Sequence, residues 1–182
     1  MNYVEPIRDT NVLEDILTYL KKDSMRNYIM FTIGIYTGLR ISDILKLQVK
    51  HVRNLKEIRL REQKTNKLKV ITINKILKEE LKVYISNKED YEYLIASNRK
   101  GNKPISRQRA YVIVKNVCNK FGVENIGTHT MRKTFGYHYY KMTKDTALLQ
   151  NIFNHADAST TLRYIGINQD SISDAYKSMK YF

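Results

Sequence analysis

Residues 27–47 read NYIMFTIGIYTGLRISDILKL. The apolar run from Tyr28 to Leu39 is too short to span a bilayer and is bracketed by Arg26 and Arg40, so it reads as a buried helix over Asn27 to Thr37. Gly38 ends that helix in a tight turn, and Ile41 to Leu47 starts a second one with Ser42 near its N-terminus. Arg40 therefore stands at the mouth of a helix, directly after a glycine turn. Upstream, Val12, Leu13, Ile16, Leu17 and Leu20 form the apolar face of a helix over Thr10 to Lys22, with Thr10 or Asn11 as its cap. Downstream, Glu57 to Arg61 and Lys69 to Ile73 read as two strands, with Gln63 to Lys67 as the hairpin tip between them. Ile76 to Ile85 is again an amphipathic helix, and Tyr93 to Ala96 a short strand. Ser106 caps a long helix through Tyr111, Val114, Val117 and Phe121, stopped by Gly122. Four short helices follow, over His129 to Tyr140, Thr146 to Phe153, Ser159 to Ile165 and Ser171 to Met179. The class is α+β and mostly helical, with a small antiparallel hairpin.

The 182 residues fit one domain over 1–182, and 42% hydrophobic with 10% aromatic residues is enough to close a core. No repeat, low-complexity run or linker divides the chain. Cys118, the single cysteine, rules out an internal disulfide, argues against a cysteine-based zinc site and suits a reducing cytoplasm. No secretory signal opens the sequence.

Thirty-two Lys and Arg against 18 Asp and Glu leave a net charge of +14, a field that draws polyanions. The excess is uneven. Between Glu92 and Glu124 there is no acid, yet Arg99, Lys100, Lys103, Arg107, Arg109, Lys115 and Lys120 lie there. From Arg40 to Lys69 ten basic residues face only Asp43, Glu57 and Glu62. Two basic stretches in mixed structure favour a nucleic-acid groove over an anionic membrane, which would want one long basic amphipathic helix.

The sequence lacks a Gly-rich phosphate loop, a His-Glu-x-x-His motif and a dinucleotide fingerprint. What remains is Arg40 at its turn, Lys64 on the hairpin tip, His129 and Arg132 on one helical face, His155 after a helix, and Tyr164 nine residues on. These residue types suit phosphodiester chemistry without a metal. Guanidiniums grip non-bridging oxygens bidentately and favour the more negative transition state. A tyrosine can attack to form a covalent ester, provided a base or a positive pocket compensates for a free pKa near 10.

Four segments, taken in order, resemble the tyrosine recombinase (phage integrase) family. Thr37-Gly38-Leu39-Arg40 with Asp43 and Leu45 resembles its first catalytic box, and Gln63-Lys64-Thr65-Asn66-Lys67 its β-hairpin lysine. Thr128-His129-Thr130-Met131-Arg132 resembles the His-x-x-Arg box, and Phe153 to Tyr164 the closing His…Thr-Thr…Tyr box. The likeness implies a helical catalytic domain that exchanges DNA strands through a 3′-phosphotyrosine, with neither metal nor ATP and no cofactor. On this likeness Tyr164 is the nucleophile, Arg40 and Arg132 clamp the phosphate, Lys64 is the general acid, His129 takes or relays the phenolic proton, and His155 donates to the phosphate. Lys67 shares the turn with Lys64 and is the competing assignment for the acid. Asp43 is expected to orient Arg40. Tyr137, Tyr139 and Tyr140 suit a core face, and Cys118 plain core.

Lys67, Arg99, Lys100, Lys103, Arg107 and Arg109 are the candidate DNA-backbone contacts. The implied partners are double-stranded attachment sites, further copies of the chain as a tetramer on DNA, and an accessory directionality factor. No membrane is involved, and a bacterial, cytoplasmic, nucleoid-associated location and a mobile element are implied. The sequence departs from the family pattern at Lys133, where a second histidine is common, and at Asn154, where glycine is common. It also starts almost at the first box, so no N-terminal core-binding domain is expected, whether the chain is a fragment or a minimal integrase. After Tyr164, Ile172, Ala175, Tyr176 and Met179 form an apolar face that packs either in cis or on a neighbouring subunit. A catalytically silent DNA-binding fragment or regulator and a metal-dependent nuclease are the competing readings; the latter needs converging carboxylates, and only Asp43 and Asp157 lie close in sequence.

Overall fold

Asp9, one residue ahead of the expected caps, starts α1 (Thr10–Asp23): its carboxylate accepts the N–H groups of Asn11 and Val12, at 2.8 and 3.4 Å. An acid here also faces the positive end of the helix. In this computed structural model, which describes residues 4–98 and 101–179, Ser24 then caps α2 (Met25–Thr37), the apolar run of the sequence. Gly38 ends α2 at φ +62°, and a Cβ there would stand 2.6 Å from the Phe135 ring. Backbone conformation and space both demand glycine.

The helix expected over Ile41 to Leu47 is one turn, α3 (Ile41–Ile44). Beyond it the backbone is recruited by another segment: Leu94 N–H bonds to Leu47 O, and Val49 N–H to Glu92 O, at 2.9 Å each. A short 3-10 turn at Val49–His51 follows. β1 (Glu57–Arg61) and β2 (Leu68–Thr72) pair antiparallel, from Glu57 opposite Thr72 to Arg61 opposite Leu68. The tip is closed by Glu62 N–H to Lys67 O and Asn66 N–H to Glu62 O. The strand expected over Tyr93 to Ala96 is instead two isolated bridges, Gln48 with Tyr93 and Ala96 with Pro104.

α4 (Lys75–Tyr84) and α5 (Arg107–Lys120) follow, α5 capped by Ser106 as read. α6 (Thr130–Thr143), α7 (Thr146–Phe153), α8 (Ala158–Ile165) and α9 (Ile167–Ser178) complete the chain. α9 begins four residues before the expected Ser171, because Gly166, at φ +83°, lets the chain reverse directly out of α8. The side chains of Ile172 and Ala175, on which the tail reading rests, lie outside the described structure; those of Tyr176 and Met179 are exposed.

α2 is central, packed on α1, α4 and α6. The main core gathers α1 to α5, the hairpin and Met131 of α6, with Ile29, Met30, Phe31, Ile33 and Cys118 essentially sealed. A second, smaller cluster holds Tyr137, Leu149, Phe153, Ile165 and Ile167. Its spacing is set at Gly136, where an added Cβ would lie 2.7 Å from both Phe153 and Ile165.

Candidate active site

Arg132 joins the two cores. It is 2% exposed; Nη1 donates to Gly38 O at 2.6 Å and Nη2 to Phe153 O at 3.1 Å, with the guanidinium 4.3 Å from the Phe153 ring centroid. Burial pulls its pKa down, yet a guanidinium starts high enough to stay charged. Both acceptors terminate helices, where carbonyls lack intrahelical partners, so the cation pins the ends of α2 and α7 to α6.

His129 caps α6, and Tyr164 is the penultimate residue of α8. The His129 Nδ1 to Tyr164 Oη distance is 3.1 Å, with the rings edge-on. Among charges, that of Arg132 acts most strongly on the Tyr164 hydroxyl. An arginine has no acceptor, so the phenolic proton is left to point at Nδ1. Burial, then the charges of Arg132 and Arg107, push the His129 pKa down to about 4, so the imidazole is neutral and basic at Nδ1 near neutrality. Burial raises the Tyr164 pKa, opposed by Arg132 and Arg40.

His155 stacks edge-on with Tyr164, centroids 5.0 Å apart. Its Nδ1 lies 3.1 Å from Thr161 Oγ1, and burial followed by Arg132 lowers its pKa. The turn that carries it has a local cause. Asn154 ends α7 at φ +54°, a conformation asparagine tolerates. Asp157 then caps α8, accepting from Thr160 N–H and the hydroxyls of Ser159 and Thr160; the Thr160 N–H first, then those hydroxyls, hold its pKa near 2.

His129 lines an open groove together with Arg40, Gln63, Lys64, Pro104 and Arg107. The structure thus gathers the six candidate residues: Arg40, Lys64 and His129 line this groove, Tyr164 is hydrogen-bonded to His129, His155 packs on the Tyr164 ring, and Arg132 packs on Phe153, which meets that ring too. Lys64 and Lys67 are both exposed, but only Lys64 lines the groove. A second groove, lined by Arg26, Lys103 and Arg109, shares Pro104 and Ile105 with the first. Lys103, Arg107 and Arg109 are exposed along the two; Arg99 and Lys100 lie outside the described residues.

The expected role of Asp43 is corrected. Its Oδ1 accepts Gln63 N–H at 2.9 Å, holding the hairpin rather than Arg40. The residue on Arg40 is Glu62, whose Oε1 lies 2.7 Å from Nη1. Sequence reasoning missed Glu62 and its neighbour Lys69, although strand alternation carried the signal. Glu62 continues the inward parity of Ile58 and Leu60, and Lys69 that of Ile71 and Ile73. Lys133, the departure from the family pattern, is buried, donates to Val4 O at 2.6 Å and lies 5.0 Å from the Tyr164 ring centroid.

The sequence model described as "Phage integrase family" matches residues 8–170. The chain belongs to the phage integrase family. A relative from Bacillus subtilis (strain 168), named a probable integrase/recombinase YoeC, is 47% identical over 177 residues, which is 97% of each chain. Tyrosine recombinase XerA of Pyrococcus horikoshii is 27% identical over 161 residues, 87% of this chain and 56% of that one. The chain thus spans nearly all of the first relative and about half of the Xer-type relatives. Among solved structures, XerA recombinase superposes with a TM-score of 0.73 at 20% identity, covering 97% of this chain and 65% of that one. XerH bound to palindromic difH substrate in a post-cleavage complex gives 0.71 at 20%, covering 98% and 54%. The fold of this phage integrase family member is that of tyrosine recombinase catalytic domains, the part of such site-specific enzymes that breaks and rejoins DNA.

Proposed function

We propose that the chain cleaves and rejoins DNA through Tyr164. The observation that carries this is the phenol held 3.1 Å from His129 Nδ1, within the field of the Arg132 charge. The phenol attacks a backbone phosphorus as its proton passes to His129 Nδ1. The P–O bond to the 5′ oxygen breaks, leaving a 3′-phosphotyrosine and a 5′-hydroxyl. Lys64, on the hairpin tip that lines the groove, supplies the proton to that oxygen. Arg132 and Arg40 neutralise the charge that builds on the non-bridging oxygens. His155 adds a donor from Nε2 when the Thr161 hydroxyl turns to Nδ1. Attack by another 5′-hydroxyl reverses each step, so the ester conserves the bond energy and no ATP or metal is needed.

The contiguous grooves carrying Arg26, Lys103, Arg107 and Arg109 support duplex DNA as the substrate, held by its phosphates. Further copies of the chain on the site and a directionality factor complete the reading. The test uses nicked duplexes with randomised centres, from which covalent adduct is recovered under denaturing conditions and sequenced. Wild-type protein in excess EDTA forms adduct, and Tyr164→Phe forms none. Adduct persisting in that variant removes the nucleophile assignment.

A further inference from the structure

Glu62 is a buried carboxylate that the strand-transfer chemistry does not use. Its side chain is 0% exposed. Oε1 accepts from Arg40, and Lys69 Nζ stands 3.7 Å from the same oxygen. Oε2 accepts from the Thr65 hydroxyl at 2.8 Å and from Asn154 Nδ2 at 3.1 Å. Lys69 in turn donates to Ile152 O at 2.7 Å. The backbone of Glu62 also closes the tip that presents Lys64.

We propose that Glu62, with Lys69 as its counter-cation, is a positioning residue that ties three separate parts of the site together: Arg40, the loop of Lys64 and the turn that carries His155. This rests on the function proposed above. The argument is geometric and electrostatic. Thr65 follows Lys64, Asn154 precedes His155, and one carboxylate reaches both while holding Arg40. A negative charge beside a phosphate pocket weakens attraction for DNA, so attraction cannot be its use; fixing the directions of its neighbours can. Charged hydrogen bonds in a sealed setting are strong enough to do so. The carboxyl stays ionised: burial raises its pKa, but the Thr65 hydroxyl and the charges of Lys69, Arg40 and Arg132 bring it below the usual range.

The full chain tests this. Glu62→Gln keeps the shape, removes the charge and turns an amide N–H₂ toward existing donors. Adduct formation with the nicked, randomised duplexes is expected to slow about 10²-fold, the scale of a misplaced catalytic group. Retention on an intact duplex stays equal or tightens, since one repelling charge is gone. A merely structural role would instead lower cleavage, retention and melting temperature together, and that result overturns the proposal, as does adduct at the wild-type rate. Should Glu62→Gln not fold, Asn154→Gly, which suits the left-handed backbone and deletes one arm of the tie, is expected to slow adduct formation about 5-fold, roughly one net hydrogen bond; no slowing overturns the proposal. Wild-type protein that forms no adduct defeats the proposed function alone. Amide exchange then decides the tie, which requires faster exchange over both 63–67 and 151–156 in the variant; unchanged exchange over 151–156 overturns it.

Discussion

The two hydrophobic clusters are built differently. The larger one is mostly aliphatic and draws on α1 to α5, the hairpin and Met131 of α6, so its members pack against neighbours distant in sequence. The smaller one joins only α6 to the start of α9 and has an aromatic centre, in which Phe153 meets Phe135, His155 and Tyr164. The groove-lining residues Arg40 and Lys64 extend from segments packed on the large cluster, while Tyr164 and His155 stand on the small one. Local stability follows buried apolar contact, so the nucleophile rides on the part of the molecule that opens more readily. Arg132 is the pin between them, which places a catalytic candidate and a structural one in the same side chain.

The most severe way to break this arrangement is Arg132→Ala. It removes two charge-assisted bonds across the clusters and strands Gly38 O and Phe153 O. Adduct formation is expected to fall by orders of magnitude and unfolding stability by about 3–5 kcal/mol, read by chemical denaturation. Arg40→Ala is expected to match the first loss but not the second. Phe153→Ala hollows the small cluster alone, with an expected cost of about 3–5 kcal/mol and loss of adduct. Amide exchange then rises first in α7 and α8 while α2 remains protected; equal exchange in both would show one undivided core. Lys64→Ala is expected to slow cleavage about 10²- to 10⁴-fold, whereas Lys67→Ala changes only the salt dependence of binding. Equal losses would reopen the choice between them.

Acid sharpens the contrast more gently. His129 has a folded pKa near 4 against about 6.5 unfolded, so the unfolded chain binds more protons between those values. Stability at the small cluster is therefore full above about pH 6.5 and drains as pH falls toward 4, with His155 adding in the same direction. His129→Gln is expected to flatten part of that slope in a denaturation series. The smallest effect belongs to the large cluster: Asp9→Ala loses a cap for about 1 kcal/mol and leaves the cleavage rate unchanged.

Much of this was legible because it is local. The α2–Gly38–Arg40 passage, the hairpin and the Ser106 cap follow from apolar period and turn chemistry, and Asn154, standing where glycine is common, fits the left-handed position it takes. Non-local pairing was not. α3 is short because Leu47 O and Val49 N are taken by residues 92–94, nearly fifty positions away. Asp43 looked like the partner of Arg40 because it is three residues off on one helical face, but Glu62 outcompetes it from the hairpin. The six candidate residues were nameable from their motifs, while the tie beneath them depended on strand register, which only the paired hairpin fixes.

Gly136 has no side chain to bond or charge, yet its missing methyl lets Phe153 and Ile165 approach α6 closely. Tyr164 precedes Ile165, so the reach of the phenol toward its acceptor depends on a steric tolerance as well as on its polar partners. Chemistry at this centre can thus be detuned through bulk alone, with every reactive group left in the chain.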